Sequence, residues 1–183
     1  MNLKAITTAL LIAGLASPAA FATTGTITFN GSISTVSCTI SGGDPTNPSP
    51  DFTVNIDGVN AGDMPNIGDN AGLTGFRIYV GKSGETTCTD GTRVWAHFEP
   101  GATVDRNTGG LVTTGSATGV QFRLFDELGN KINPWDTDQN PIKQVVADNQ
   151  AVLAHIAAFE RRDAAVTPGT ANSSVTYSVR FEP

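Results

Sequence analysis

Residues 175–181 read Val-Thr-Tyr-Ser-Val-Arg-Phe, with apolar and polar side chains alternating at every position. In an extended strand, successive side chains point to opposite faces. Val175, Tyr177, Val179 and Phe181 therefore share one face, and the polar side chains between them share the other. This stretch predicts a strand near the carboxy end of the chain that buries one face in a core.

The same alternation recurs along the chain. It appears at Thr26–Ile33, Phe52–Ile56, Phe76–Val80, Val94–Phe98, Val120–Phe125 and Val152–Phe159. Clusters of Gly, Pro, Asn, Asp and Ser separate these segments, as turns do. Seven or so short strands at this spacing predict one all-β domain built as a β-sandwich. Residues 136–149 fit either a helical turn or a loop, and the pattern leaves both open.

The composition supports a β protein and limits its partners. Charged residues make up only 15% of the 183 residues, with 4 Lys and 5 Glu, whereas helical proteins are rich in both. The formal net charge of −6 makes nucleic acid and anionic membranes poor partners. His97 and His155 lie in predicted strands, where a structural role is the simpler interpretation. We therefore expect no enzyme activity, no catalytic or metal-binding residues and no cofactor.

The first 22 residues have the pattern of a secretory signal peptide. Lys4 precedes a mostly apolar run that is too short to span a membrane, and residues 20–22, Ala-Phe-Ala, fit the small-residue cleavage rule. We expect cleavage after residue 22 and export to an oxidising compartment. There, Cys38 and Cys88 most simply form one disulfide, with two free thiols or a metal clip as the alternative.

A second clear alternation follows the expected cleavage site. Ile27, Phe29, Gly31 and Ile33 fall on one face of an extended strand. Gly31 is unusual in this row, because glycine weakens a strand and tends to mark a close approach or a shallow pocket. The segment fits either the first strand of its own sandwich or an arm that buries its apolar face in another chain.

Several stretches together resemble the pilins of chaperone–usher fimbriae. Residues 29–33, Phe-Asn-Gly-Ser-Ile, lie shortly before Cys38 and look like the amino-terminal extension of these pilins. Residues 115–126 are similar to the segment of type 1-like major pilins in which a Thr-rich run leads into a strand ending in Asp. Gly169 lies 12 residues before Phe181, the separation between a glycine and a near-terminal aromatic in this family. The family usually has a penultimate Tyr, whereas Phe181 is third from the end.

The resemblance implies an immunoglobulin-like β-sandwich that is incomplete and is completed by a donor strand from a neighbouring subunit or a chaperone. Residues 1–22 would be the removed signal peptide, residues 23–36 the donor-strand extension and residues 37–183 the pilin domain. The donor-strand side chains implied by the resemblance are Ile27, Phe29, Gly31 and Ile33. The residues implied at the groove edge, which a chaperone also contacts, are Gly169, Val175, Tyr177, Val179 and Phe181.

The resemblance also implies a function. The chain would be a structural subunit of an adhesive fimbria, exported through the periplasm to the cell surface by a periplasmic chaperone and an outer-membrane usher. It would polymerise with identical or related pilin subunits by donor-strand exchange and so support cell adhesion, with any host receptor contacted through a separate tip adhesin. Residues 115–126 favour a major subunit. The alternatives are a minor adaptor pilin of the same system and a monomeric secreted β-sandwich binding module.

Overall fold

The computed structural model describes residues 36–46 and 49–182. This part of the chain contains nine strands and one short 3₁₀ helix, Ala61–Asp63. The strands are β1 Ile40–Gly42, β2 Asn70–Gly81, β3 Arg93–Phe98, β4 Leu111–Val112, β5 Val120–Asp126, β6 Lys131–Ile132, β7 Gln144–Val145, β8 Gln150–Arg161 and β9 Tyr177–Glu182. None of these residues belongs to a helix long and apolar enough to cross a membrane. The predicted all-β class is confirmed.

The described strands form two antiparallel sheets that pack together as a sandwich. The large sheet has the order β1-β2-β8-β5-β4, with β6 also paired to β5, and the small sheet has the order β7-β3-β9. Buried side chains from both sheets meet in one core, which includes Ile78, Val80, Val94, Ala96, Phe98, Leu124, Leu153 and Ala157. The core therefore uses alternate residues of the longer strands, as a period of two requires.

Strands β2 and β8 form the centre of the large sheet. Their pairing runs from Asn70↔Glu160 to Gly81↔Gln150, with a register shift between Ala71 and Thr74. Gly72 lies in this shift with a φ of 68°. Glycine favours this left-handed conformation, and such bulges bend the strand that carries them.

Most of the predicted strands are present. Phe76–Val80, Val94–Phe98, Val120–Phe125 and Val152–Phe159 each lie inside an observed strand, and the carboxy-terminal strand begins at Tyr177. The prediction of a strand at Phe52–Ile56 is wrong in one respect. Those residues alternate in burial, but within the described chain they pair with no other strand. The Thr26–Ile33 segment lies outside the described residues.

Residues 136–149 contain a strand and no helix. This stretch includes β7, and a tight hairpin then leads into β8, with Ala147 paired to Gln150. The two central residues, Asp148 and Asn149, have φ values of 52° and 61°. Asp and Asn tolerate positive φ better than most residues, which suits them to a two-residue hairpin.

A disulfide joins Cys38 to Cys88 and closes a loop with a sequence separation of 50 residues. Their Cα atoms are 4.7 Å apart, and Cys88 is fully buried in the core. Next to the bridge, the backbone N–H of Thr39 donates to the Glu85 carboxylate at 2.8 Å. The disulfide therefore ties the chain just ahead of β1 to the connection between β2 and β3.

Candidate functional site

Strand β9 has one paired edge and one open edge. It pairs with β3 along its whole length, and just before it the Glu99 N–H donates to the Thr176 carbonyl at 2.8 Å. In an antiparallel ladder, alternate residues direct their backbone groups to the same neighbour. The backbone groups of Tyr177, Val179 and Phe181 therefore point away from β3. Among the described residues, no strand pairs with that edge.

An extended stretch, residues 51–59, lies across from β9, and we call it the wall segment. Phe52, Val54, Ile56 and Val59 are half-buried, whereas the residues between them are exposed. No backbone group of residues 52–59 is hydrogen-bonded to another backbone group of the described chain. The wall segment therefore has the side-chain pattern of a strand without the hydrogen bonds of one.

An apolar groove of about 670 Å³ lies between β9 and the wall segment. Its floor consists of core side chains from both sheets, namely Phe76, Ile78, Phe98, Leu111, Phe122, Leu124 and Ala157. One side is formed by residues 50–54 and 56, and the other by residues 173–177 and 179. An apolar floor beside free backbone groups is the geometry in which an extended peptide adds to a sheet edge.

Aromatic contacts connect the two sides of the groove. The Tyr177 hydroxyl donates to the Pro50 carbonyl at 2.7 Å, and the Tyr177 and Phe52 ring centroids are 6.2 Å apart in an edge-on arrangement. The Phe52 ring also lies 5.9 Å from the Phe76 ring in the floor. Burial, together with the charge of Asp51, raises the pKa of Tyr177, so its hydroxyl stays protonated and able to donate.

The opposite edge of the small sheet is covered. Strand β7 pairs with β3 at Arg93 and Val94. Farther along, the Gln139 side chain takes the place of a strand. The Phe98 N–H donates to its Oε1 at 3.1 Å, and its Nε2 donates to the Phe98 carbonyl at 2.7 Å. Within residues 36–46 and 49–182, the β7 side of β3 is covered at Arg93, Val94 and Phe98, and we call it the closed edge. No strand pairs with the β9 side, which we call the open edge.

The carboxy-terminal residues predicted for the groove edge occupy two kinds of place. Val175, Tyr177 and Val179 line the groove. Phe181 packs against the same core and pairs with Val94, but it lies beyond the residues that line the groove. The four predicted donor-strand residues, Ile27, Phe29, Gly31 and Ile33, lie outside the described residues.

Gly169 lies away from the groove, in the loop that leads toward β9. A Cβ at this position would overlap the Ser116 hydroxyl and lie 2.6 Å from the Ala117 nitrogen. A bridge between Thr118 and Thr167 holds the two segments together at this point. The need for glycine at 169 therefore arises from the close approach of two chain segments.

The alternation predicted that Val175, Tyr177 and Val179 share one face, and these three line the groove. Sequence reasoning missed the wall segment as a part of the site. The alternation at Phe52–Ile56 indicated an ordinary strand. Half-burial of alternate side chains is the same whether or not a backbone edge has a partner. The alternation was therefore enough to find the wall segment. Nothing in its own residues could predict that its backbone would lack a partner strand.

His155 packs beneath the groove between two of its floor residues. Its ring centroid lies 5.5 Å from that of Phe76 and 5.2 Å from that of Phe98. Burial lowers the pKa of His155 to about 4, although a backbone hydrogen bond with Leu153 and the charge of Asp126 favour the protonated form. The imidazole is therefore neutral at pH 7 and acts as an aromatic packing group.

His97 lies near the carboxy-terminal end of β3. Burial, and then the charge of Arg180, lower the pKa of His97, while Glu99 opposes this shift. His97 is therefore also neutral at pH 7. Among the residues the structure describes, no three His, Cys, Asp or Glu side chains come together in a way that could hold a metal ion.

A cluster of buried polar side chains lies on the large sheet. The Glu160 carboxylate accepts from Arg123 at 2.6 Å, Gln121 at 2.6 Å and Lys131 at 2.5 Å. Burial raises the pKa of Glu160, but hydrogen bonds from Arg123, Lys131 and Gln121 outweigh burial and lower it. Both oxygens of this carboxylate accept hydrogen bonds from protein side chains, so the cluster links β5, β6 and β8 and leaves no free carboxylate oxygen for a ligand.

Known proteins similar to this chain are fimbrial subunits. The sequence matches the model of a family described as "Fimbrial protein" over residues 27–182. It is 37% identical to the "Major fimbrial subunit SMF-1" of Stenotrophomonas maltophilia (strain K279a), over 89% of this chain and 95% of that protein. It is 29% identical to the "F17 fimbrial protein" of Escherichia coli, over 94% of this chain and 95% of that protein.

Solved structures share the fold. A chain from the structure of a chaperone–usher pilus superposes with a TM-score of 0.59 at 19% identity, covering 91% of this chain and all (100%) of the other. The P pilus rod subunit PapA superposes with a TM-score of 0.56 at 18% identity, covering 79% of this chain and 99% of the other. The immunoglobulin-like sandwich of pilins is thus the fold of this chain.

Proposed function

The chain belongs to the fimbrial protein family, and from this premise we propose that it is a structural subunit of an adhesive fimbria. It is exported through the periplasm and assembled at the cell surface by donor-strand exchange. The observation that carries this proposal is the open edge of β9 beside an apolar groove. An exposed edge over an apolar core favours aggregation unless a strand covers it, so a partner strand belongs there.

The occupant we propose for the groove is the segment of residues 23–34 from a second copy of the chain. Its apolar residues Ile27, Phe29 and Ile33 alternate at the period that a strand over the floor requires. Each of these side chains contributes roughly 1.5–3 kcal/mol on burial. Each backbone hydrogen bond to β9 adds about 0.5–1.5 kcal/mol. Gly31 would occupy a position where the groove has no room for a larger side chain.

Before assembly, the same groove would be covered by a periplasmic chaperone that pairs with β9. Val175, Tyr177 and Val179 supply the apolar side of that contact, and Phe181 extends it along the strand. Gly169 supports it indirectly by letting the loop ahead of β9 pack on residues 116–117. An outer-membrane usher would then pass the subunit into the fibre, and a separate tip adhesin would contact any host receptor.

We place the chain in the fimbrial shaft. In support, it is 37% identical to a protein described as a major fimbrial subunit, over 89% of the chain. The domain division follows from this role, with a removed signal peptide at 1–22, a donor extension at 23–36 and the pilin domain at 37–183. A monomeric binding module would need its β9 edge paired within its own sheet, and the described residues supply no such strand.

Deleting residues 23–34 from the exported chain tests the proposal. The variant should still accumulate with its chaperone but form no polymers, which appear as multimer ladders on unheated denaturing gels. Gly31→Leu should give the same result, because overpacking a close contact costs roughly 1–3 kcal/mol. Ser32→Ala, on the opposite face of the extension, is the matched control and should polymerise normally. Fibres from the deletion variant, or a stable deletion monomer without any added strand, would overturn the proposal.

A further inference from the structure

We propose that Gly42 and Gly72 are positioning residues for strand capture, since they fix the wall segment at the distance from β9 that the incoming strand requires. This inference rests on the proposed function. It concerns how the second side of the groove is held, which neither the resemblance nor the alternation explains. The starting observation is that, within the described chain, residues 52–59 of the wall segment make no backbone–backbone hydrogen bond that would keep them in place.

A stretch without a ladder has to be held by its side chains. In the wall segment, these contacts are made by Phe52 at one end and by Ile56 and Val59 at the other. Each end packs onto a glycine of the large sheet, Gly42 in β1 and Gly72 in β2. The wall segment is therefore attached to the sheet at two places where the sheet has no side chain.

At Gly42, the Phe52 ring occupies the space of the missing side chain. A Cβ built on Gly42 would overlap the ring, with Phe52 Cγ 2.6 Å away. The backbone of Gly42 does not adopt the left-handed conformation that favours glycine. Other residues could therefore adopt its backbone angles. The reason for glycine here is the room it leaves for Phe52.

At Gly72, both reasons for a glycine apply. Its φ of 68° favours glycine. A Cβ would also lie 2.9 Å from Ile56 Cγ2 and 2.9 Å from Val59 Cγ1. Because a substitution here would strain the backbone as well as displace the wall segment, Gly42 is the cleaner position for a test.

A side chain added at Gly42 would affect the groove by displacing the Phe52 ring. The ring lies 5.9 Å from Phe76 in the floor and 6.2 Å from Tyr177 on the other side. With β1 behind it, a ring displaced from Gly42 moves into the groove, since close-packed interiors leave little room elsewhere. A methyl group at position 42 should therefore narrow the groove and slow the entry of a strand.

The test uses the exported chain purified in complex with its periplasmic chaperone, and a fluorescent synthetic peptide of residues 23–34 as the probe. We expect Gly42→Ala to reduce the rate of peptide capture by at least about tenfold, in line with the usual cost of overpacking. Gly58→Ala is the matched control. Gly58 lies in the wall segment itself, has open space around it and lacks a left-handed φ, so its variant should capture peptide at the wild-type rate.

A double variant shows whether Gly42 acts through the ring. Phe52→Ala removes the group that a Cβ would displace, so Gly42→Ala/Phe52→Ala should capture peptide no more slowly than Phe52→Ala alone. If Gly42→Ala does not accumulate, capture by the double variant is compared with capture by Phe52→Ala alone, and slower capture by the double variant overturns the proposal. The proposal would also be overturned if Gly42→Ala captured peptide at the wild-type rate, or if the effects of the two substitutions added in the double variant.

If the wild-type chain captured no peptide at all, the proposed function would be refuted instead.

Discussion

The two edges of the small sheet differ in how their backbone groups are satisfied. On the β7 side, two residue pairs and the amide of Gln139 cover the edge of β3, and the Gln139 amide satisfies both backbone groups of Phe98. On the β9 side, the described residues supply no strand, and an apolar groove lies beside the unpaired backbone. Both edges belong to the same three strands. What separates them is the presence or absence of a local group that satisfies the edge.

The comparison shows that an edge stays open where the described residues supply neither a strand nor a side chain to bond its backbone groups. A two-residue strand and one side-chain amide are enough to cover the β7 side, where the adjoining pocket is only about 20 Å³. A groove with a floor of large apolar side chains needs a whole strand, because both the backbone and the apolar surface must be covered. The wall segment has no ladder of its own, so it leaves room for that strand.

Closing the open edge should give the largest effect. A copy of residues 23–34 joined after Pro183 through a short flexible linker would act at roughly millimolar effective concentration. We expect a soluble monomer whose free energy of unfolding rises by at least about 4 kcal/mol, because three apolar side chains become buried. Guanidinium unfolding and size exclusion measure both effects. A tail with serine in place of the copied Ile27, Phe29 and Ile33 is the control, and equal stabilisation by both tails would contradict the comparison.

A substitution that damages β9 should have the next largest effect on stability. Phe181→Ala removes a ring packed on the core, and we expect a loss of stability of about 3 kcal/mol together with loss of the chaperone-bound form. Arg180→Ala, an exposed neighbour on the other face, is the matched control and should leave both nearly unchanged. Thermal unfolding and periplasmic accumulation are the measurements. Normal accumulation and assembly of Phe181→Ala would contradict the larger effect expected at β9 than at the closed edge.

Acid should weaken the floor of the groove. The pKa of His155 is lowered to about 4 by burial, so between pH 6.5 and pH 4 the unfolded chain binds a proton that the folded chain excludes. Stability should therefore fall as the pH drops through this window, by up to about 3 kcal/mol. His155→Phe keeps an aromatic ring between Phe76 and Phe98 and should remove this part of the pH dependence. Denaturant unfolding of both proteins at pH 7 and pH 4.5 measures the difference. If the free energy of unfolding falls equally in both proteins between these pH values, the lowered pKa of His155 is not its cause.

Opening the closed edge should give the smallest effect. Gln139→Ala removes two hydrogen bonds to the Phe98 backbone and should cost about 1–2 kcal/mol, measured by thermal unfolding. Gln139→Glu keeps the acceptor but places a carboxylate oxygen against the Phe98 carbonyl oxygen, so it should destabilise at least as much as Gln139→Ala. The edge exposed in this way should not bind the peptide of residues 23–34, since the pocket beside Gln139 holds only about 20 Å³, against about 670 Å³ beside β9. Peptide binding at this edge would mean that unpaired backbone groups are sufficient to bind a strand without an apolar groove.

Much of the fold followed from the period-two pattern. The alternation at Val94–Phe98 and at Val120–Phe125 located two strands, because pleating alone sends alternate side chains to opposite sides. It did not predict that the polar Gln121 and Arg123 of β5 are buried as well, in the cluster around Glu160. Strands β4, β6 and β7 have two residues each, too few to show a period. The sequence pattern therefore could not predict them.

The sequence alone determined the all-β class and the face of β9 that packs on the core. Each of these is a local property, set by alternation or by the order of residues along the chain. Only the tertiary structure decided which edges are paired. Gln139 covers Phe98 from 41 residues away, and Gly42 and Gly72 receive side chains of the wall segment. Whether an edge has a partner depends on chain segments that are distant in sequence, and a strand's own residues look the same in either case.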